Sequence, residues 1–322
     1  MKIAASEARA LAIAFLARHG MSSGYAEAVA DHLIYATHAG HAFAGLPRLL
    51  PIAKRLERDG AGSEIRITKQ TDKSAVIDGG NVIGYVTALT GIDTAIGLAK
   101  ASGVGIVGVN NSSYSGLLRY YVERAAEAGL IGIHAANSVK RVAPFGGAER
   151  VLGTNPFALA FPADGAPLVI DFATSALTEG DVLYHQALGK PLPPGCAVDA
   201  QGAPTIDPTA ALGGAILGWG GARGFAVSMA VQALAALAGG DPVVEDAGRW
   251  GYLFIAIDPE LLMPLPEFKS RIASLRSTVE SSRPVAGGSP VRAPGTATQR
   301  RLAEAATHDW IEVDDEILRR IA

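Results

Sequence analysis

The chain carries a single cysteine, Cys196, so no disulfide can form within it and a cysteine-built zinc site is excluded. Beside Pro193-Pro194-Gly195, that cysteine reads as a small apolar residue. Aromatic residues are also scarce, at 6%, while glycine is abundant at 38 residues. That balance fits an α/β protein with tight connections and alanine-rich helices. No block of Lys and Arg stands out, so the electrostatic footprint of a nucleic-acid binder is missing. The acidic residues are scattered too, and no acidic tail is formed. Near the N-terminus, Glu7 and Arg9 interrupt any apolar leader. The longest apolar stretches, such as 226–238, fall short of the ~20 residues a spanning helix needs. A soluble, cytoplasmic protein with no membrane partner is expected. The seven histidines lack ligand spacing, so no metal site is expected. Walker-type phosphate loops, H-E-x-x-H pairs and G-x-S-x-G elbows are absent as well.

With 322 residues and 49% apolar content the chain can bury a large core, and length alone points to about two domains. Apolar spacing predicts helices over 6–19, 25–37 (capped by Ser22 or Ser23), 46–59, 81–101, 115–128, 220–237, 267–280, 298–307 and 314–321. Strands are predicted over 64–71, 74–78, 104–109, 130–135, 156–161, 168–172 and 250–257. Residues 281–294, rich in Pro, Gly and Ser, read as a linker. Helical ends around a sheet-rich middle imply an α/β body flanked by a helical layer built from both termini. The boundaries expected are 1–72, 73–265 and 266–322.

One motif misleads. Gly103, Gly105 and Gly108 fit G-x-G-x-x-G, but that fingerprint works only in a turn between a strand and a helix. Here the glycines lie within a predicted strand that follows a helix, so they read as glycines in a closely covered strand.

The chemistry-bearing stretches are NNSSYSG ending at Gly116, NSVKR at 137–141, GGAERVLGTNP at 146–156, DFATS at 171–175 and WGGARG at 219–224. Together, and in this order, they closely resemble the type-2 malate/L-lactate dehydrogenase family. The resemblance runs from ADHLIYATHAG near Ala30 to WIEVDDEILRRIA at the end. It implies two-electron transfer between NADH or NADPH and a small 2-oxo acid or its imine. It also implies a non-Rossmann cofactor domain with a large, mostly antiparallel or mixed sheet at 73–265, and homodimers. The flanking segments 1–72 and 266–322 would pack together as the substrate and dimer part.

Carried over by residue, the resemblance puts Asp171, Ala173, Thr174 and Ser175 against the cofactor. Arg223 and Gly224 stand for the family's Lys-Gly pair, and Pro294 and Gly295 for its late cofactor segment, followed by Thr296. Ser138 falls at a substrate-contacting position, with Lys140 beside it as a further candidate. Arg48 matches the arginine expected to hold the substrate carboxylate, a task suited to its fork of donors. Without the resemblance, Arg48 reads as a solvated helix charge.

Two departures matter. The family's S-H-G followed by Arg is Phe43-Ala44-Gly45 and then Arg48, and its H-x-G is Tyr114-Ser115-Gly116. Both usual proton-handling histidines are replaced. A positioned acid typically contributes about 10²–10⁴-fold, so three readings compete. Tyr114 is itself the acid, since a phenol keeps its proton at pH 7, with Lys140 or Arg141 near enough to tune it; or Tyr114 merely lines a reshaped pocket. Alternatively the substrate is an imine that needs less help. Finally, the chain is a non-redox or redirected descendant that keeps the cofactor scaffold. His41, about one turn before Ala44 if the segment is helical, is a substitute acid. His38 reads as a helix C-terminal residue, while His19, His32 and His308 have no neighbourhood legible in sequence. Asp199 and Asp207 read mainly as turn residues, with Asp199 a lesser candidate for orienting a site group.

Overall fold

The protein is described here from a computed structural model that covers residues 1–246 and 248–322. The N-terminal part holds β1 (Lys2–Ile3), α1 (Ala5–Arg18), α2 (Ser23–His38), two 3-10 turns at Ala42–Ala44 and Leu46–Arg48, and α3 (Leu49–Asp59). The middle holds β2 (Arg66–Gln70), β3 (Ser74–Asp78), α4 (Gly84–Ser102), β4 (Val104–Ser112), α5 (Arg119–Glu127), β5 (Ile131–Ala136), β6 (Phe157–Phe161) and β7 (Leu168–Phe172). Next come α6 (Glu179–Ala187), β8 (Ala197–Val198), α7 (Pro208–Gly213), β9 (Ala215–Ile216), α8 (Ala222–Leu237) and β10 (Trp250–Ile257). The chain ends with α9 (Leu265–Glu280), α10 (Thr296–Ala305), β11 (Ile311–Glu312) and α11 (Asp315–Ile321). Among these described residues, no helix is long and apolar enough to cross a membrane.

Seven strands form the central sheet in the order β2-β3-β4-β10-β5-β6-β7. Only β3 and β4 run parallel; the other neighbours are antiparallel. The expected large, mostly antiparallel mixed sheet is therefore what forms. The termini join as well, through antiparallel pairing of β1 with β11. A helical core of Phe15, Leu16, Leu33 and Leu49 takes in Ile311 and Ile321 from the far end of the chain. A second core packs α4 and α5 on one sheet face, around Ile92, Tyr121, Val107 and Phe254. A smaller one seats Val231 and Ala238 of α8 and its end against Leu253 on the other face.

The glycines of the false fingerprint are explained by this sandwich. Gly103 ends α4 in the left-handed region (φ 84°). Gly105 lies within β4, where an added Cβ would fall 2.1 Å from the Ala95 carbonyl oxygen. They let helices approach the strand rather than cradle a phosphate.

Helix α5 begins at Arg119, not at Ser115, because Gly116 stands in the left-handed region (φ 77°). A Cβ there would lie 2.3 Å from His32 Nε2. His32 is buried on α2, and its Nε2 accepts the Leu117 N–H at 2.9 Å. His134, buried on β5, stacks on Phe254 with ring centroids 4.0 Å apart. Burial pushes both imidazoles down to about 3. Both are therefore neutral in the folded protein but take up protons near 6.5 once unfolded. Their contribution to stability is complete above about pH 6.5 and is lost as pH falls toward 3. Thermal unfolding followed from pH 8 to 4 should show a midpoint that drops below about pH 6.5. In His32→Gln, which keeps an acceptor and removes a titrating group, that drop should be shallower; equal slopes would contradict this account.

Candidate active site

The topology gathers the sequence motifs at one end of the sheet. Tyr114 follows β4 and Ser138 follows β5; Thr154 precedes β6, and Ala173–Ser175 follow β7. Trp250 opens β10, which lies between β4 and β5, and pairs with Ser112. Antiparallel neighbours thus deliver the ends of some strands and the starts of others to the same place.

Arg48 closes the second 3-10 turn and is half-buried. Its guanidinium carbon lies 4.0 Å from the centre of the Tyr114 ring. That ring is flanked edge-to-face by Tyr85 at 5.7 Å and Trp250 at 6.2 Å. Tyr85 is fully buried, and burial pushes its phenol far up, so it stays protonated. Arg48 Nε, Tyr85 Oη, Ser113 Oγ and Trp250 Nε1 are all buried with no hydrogen-bond partner. Unsatisfied buried polar atoms at this density are costly in a core and mark a place where a ligand can pair them.

The second half of the site is built around the carbonyl of Thr154. It accepts both the N–H and the Oγ1–H of Thr174, at 3.0 and 3.1 Å. Ser138 Oγ accepts the Thr154 N–H at 3.1 Å. Asn155, in the left-handed region (φ 41°), donates to Gln232 Oε1 at 2.7 Å and so ties the loop to α8. Asn137 Oδ1 accepts the Gly251 N–H at 2.8 Å, next to Trp250, which joins the two halves. The TNP and ATS segments therefore fold against one another, with Ser138 between them and Trp250.

Asp171 accepts the Arg119 N–H at 2.9 Å. It sits in a crevice, crowded by protein yet reached by solvent. Crowding pushes its carboxyl up to about 6, against the opposing N–H and charge of Arg119. Arg119 is held in turn by Tyr35 at 2.8 Å and by Glu123. Ser175 pairs across a short bridge with Gly218, and its buried Oγ has no partner. Trp219 donates its N–H to the Thr174 carbonyl at 3.0 Å. Arg223 is exposed in the first turn of α8. Gly224 lies under the Trp219 carbonyl, where an added Cβ would be 1.7 Å from its oxygen. Gly295 begins α10 against β7, 2.5 Å by the same measure from the Val169 carbonyl oxygen, with Pro294 exposed beside it.

Lys140, Arg141 and His41 stand differently from the sequence reading. Lys140 is bound to Glu245 at 2.6 Å and Arg141 to Glu179 at 2.6 Å, so each cation already has a carboxylate. His41 precedes the first 3-10 turn instead of lying on a helix with Ala44, and it is exposed. Its pKa is held below the usual imidazole value, by crowding first and then by Arg119 and Arg301. Asp199 makes a turn of its own, accepting the N–H groups of Gln201 and Ala203 at 2.9 Å each. Among the described residues, no group of three His, Cys, Asp or Glu could hold a metal ion.

Sequence reasoning missed Tyr85, Trp250 and Glu179, none of which carries a motif. It also missed the role of Thr154, although the LGTNP motif contains it.

The arrangement offers a guanidinium over a phenol at one end of the sheet, and a glycine-rich helix start beside the ATS loop. The chain is similar to known proteins over its whole length. The profile of the malate/L-lactate dehydrogenase family matches residues 3–322. L-sulfolactate dehydrogenase of Methanocaldococcus jannaschii is 34% identical over 322 residues, covering 97% of this chain and 92% of its own. Ureidoglycolate dehydrogenase (NAD(+)) of Escherichia coli K12 is 33% identical over 315 residues, covering 94% and 89%. The crystal structure of delta1-piperideine-2-carboxylate reductase from Pseudomonas syringae superposes with a TM-score of 0.90 at 28% identity, covering 100% of this chain and 98% of that one. The chain is thus a member of the malate/L-lactate dehydrogenase family and an enzyme of the dehydrogenase type.

Proposed function

We propose that the chain is an NAD(P)H-dependent reductase of a small 2-oxo or imino acid, with Arg48 as carboxylate anchor and Tyr114 as proton donor. The observation that carries this reading is the guanidinium of Arg48 held 4.0 Å over the Tyr114 ring, beside the joined TNP and ATS loops.

The residues present fit a dinucleotide. Helix α8 starts after Gly220 and Gly221 with no side-chain cap, so its first N–H groups remain available to an anion. Arg223 stands in that first turn, and Ser175 offers a buried, unpartnered hydroxyl. Asp171, Ala173, Thr174, Ser175, Arg223, Gly224, Pro294 and Gly295 are the residues that would hold the cofactor, in either its NADH or NADPH form. When bound, the nicotinamide supplies a hydride to the substrate carbon.

The chain's own groups do the rest. Arg48 orients the carboxylate through its fork of donors, with Nε still unpaired. The Tyr114 ring beneath it holds the guanidinium in place; such cation–π contacts are worth about 0.5–2 kcal/mol. Ser138 accepts the Thr154 N–H through its oxygen and lies 3.4 Å from Thr154 Oγ1, a long contact from which its hydroxyl hydrogen can turn to the substrate. The substrate oxygen or nitrogen left with the electron pair takes the proton of Tyr114 Oη. The phenolate formed is stabilised by the guanidinium over its ring. Because Lys140 and Arg141 are already paired, Arg48 is the cation in position to do this. His41, exposed and held low in pKa, is the weaker acid candidate. The same reading takes the enzyme to be a homodimer, which the exposed apolar face of α8 at Ala226, Met229, Ala230 and Leu237 supports.

Tyr114→Phe keeps the ring under Arg48 and removes only the proton. Its turnover should fall at least tenfold while the cofactor dissociation constant stays within twofold; an unchanged rate would remove Tyr114 from the mechanism. Arg48→Lys keeps the charge but loses the fork. Steady-state kinetics should show KM for the acid raised about tenfold or more, and an unaltered KM would place the carboxylate elsewhere. Cofactor binding without oxidation of NADH or NADPH across a panel of oxo and imino acids would favour the non-redox reading.

A further inference from the structure

The surroundings of Arg48 bear on which acid the site accepts. The guanidinium is enclosed on one side by aromatic rings, Tyr114 beneath it with Tyr85 and Trp250 beyond. The two other cations of the neighbouring NSVKR segment are spoken for. Lys140 Nζ is 2.6 Å from the Glu245 carboxylate, and Arg141 Nε is 2.6 Å from Glu179 Oε1. Glu179 is also near enough to Arg48 for its charge to favour the protonated guanidinium. The Phe43 ring lies against Gly180, the next residue, where an added Cβ would be 2.7 Å from Phe43 Cε1. Phe43 is exposed, so an apolar surface stands open beside that carboxylate. Three further unpartnered groups beside it, Tyr85 Oη, Ser113 Oγ and Trp250 Nε1, are neutral.

A substrate with one carboxylate satisfies this set. Its charge pairs with Arg48, and its carbonyl or imine and its remainder meet neutral donors and aromatic surface. A second carboxylate or a sulfonate would find the two cations of the NSVKR segment, Lys140 and Arg141, already held by carboxylates and would approach the negative charge of Glu179. Burying a charge without a partner is strongly unfavourable, and a like charge opposite it adds discrimination.

We infer that the site selects 2-oxo or imino acids with a single carboxylate and an uncharged, apolar remainder, and that the Glu179–Arg141 pair is the specificity-determining element that turns dianions away. This inference rests on the proposed reductase function. Glu179 acts by holding Arg141 and by its own charge; it takes no part in hydride or proton transfer.

The experiment is a substrate panel on the full-length enzyme with NADH and NADPH. Pyruvate, phenylpyruvate and Δ1-pyrroline-2-carboxylate are set against oxaloacetate and sulfopyruvate. The best monoanion should exceed both dianions at least 30-fold in kcat/KM. In Glu179→Gln, which frees Arg141, that ratio should fall at least tenfold, chiefly through a lower KM for the dianions. Calorimetric titration of the cofactor-free enzyme with lactate and with malate reads binding without turnover. Malate should bind at least tenfold more weakly, and Glu179→Gln should narrow the gap. Dianions used as well as monoanions, or a ratio unmoved in Glu179→Gln, would overturn the inference while leaving the reductase reading intact. No oxidation of either dinucleotide with any compound would overturn both.

Discussion

Contact between Arg48 and Tyr114 is the point at which the helical layer meets the working end of the sheet. Arg48 comes from the turn before α3, within the layer that both termini build. Tyr114 comes from the loop after β4 and packs against the helical core that also contains Tyr85. The 4.0 Å separation therefore depends on how the two layers dock, not on local chain geometry. His32 takes part in this docking. Its neutral ring fills the space beside Gly116 and accepts the Leu117 N–H, which fixes the loop that carries Tyr114. A charged imidazole at that place could not accept the bond, so burial of the neutral form and placement of the phenol are one constraint.

The other half of the site obeys a similar logic. One carbonyl, that of Thr154, collects two donors from Thr174, while the N–H of Thr154 goes to Ser138. Three segments apart in sequence are thereby cross-linked through the backbone of a single residue. Asn155 anchors the same loop to α8 through Gln232 and Ser228. Helix α8 contributes Arg223 at its exposed start, so the loop that positions Ser138 also sets where that helix begins relative to β7. Preorganisation of this kind lets polar groups face a ligand without further ordering on binding.

Much of the sheet was legible because its strands are short apolar runs bounded by turn residues. The strands 74–78, 168–172 and 250–257 have the predicted limits. Helix α5 was misjudged at its start because the break at 115–118 is imposed by His32, a residue 85 positions away from Leu117. Helix α6 was left unassigned, since its nine residues show little apolar periodicity. Its capping box, with Thr178 and Asp181 satisfying each other's backbone, was the available signal. At the site, the segments were found from their motifs, but the state of their side chains was not. Lys140 read as a free cation because its partner, Glu245, lies 105 residues on. Trp250 and Tyr85 read as ordinary strand and helix residues, since only the packing around Tyr114 brings them together. Long-range pairing of this sort leaves no trace in local spacing.

The resemblance read from the sequence implies histidines at two signature positions, which hold Ala44 and Tyr114 here. Where one signature has Ala44 and the other Tyr114, the site holds a phenol covered by a guanidinium and backed by aromatic rings. The central claim is that this assembly and the TNP–ATS cleft bind an acid and a reduced dinucleotide side by side. Fluorescence titration of the purified protein with NADH and with NADPH, in the absence and presence of oxamate, tests it most directly. The account predicts saturable binding of at least one dinucleotide at micromolar concentration, tightened by oxamate in the native protein and untouched by it in Arg48→Met. No binding of either dinucleotide at millimolar concentration would contradict it.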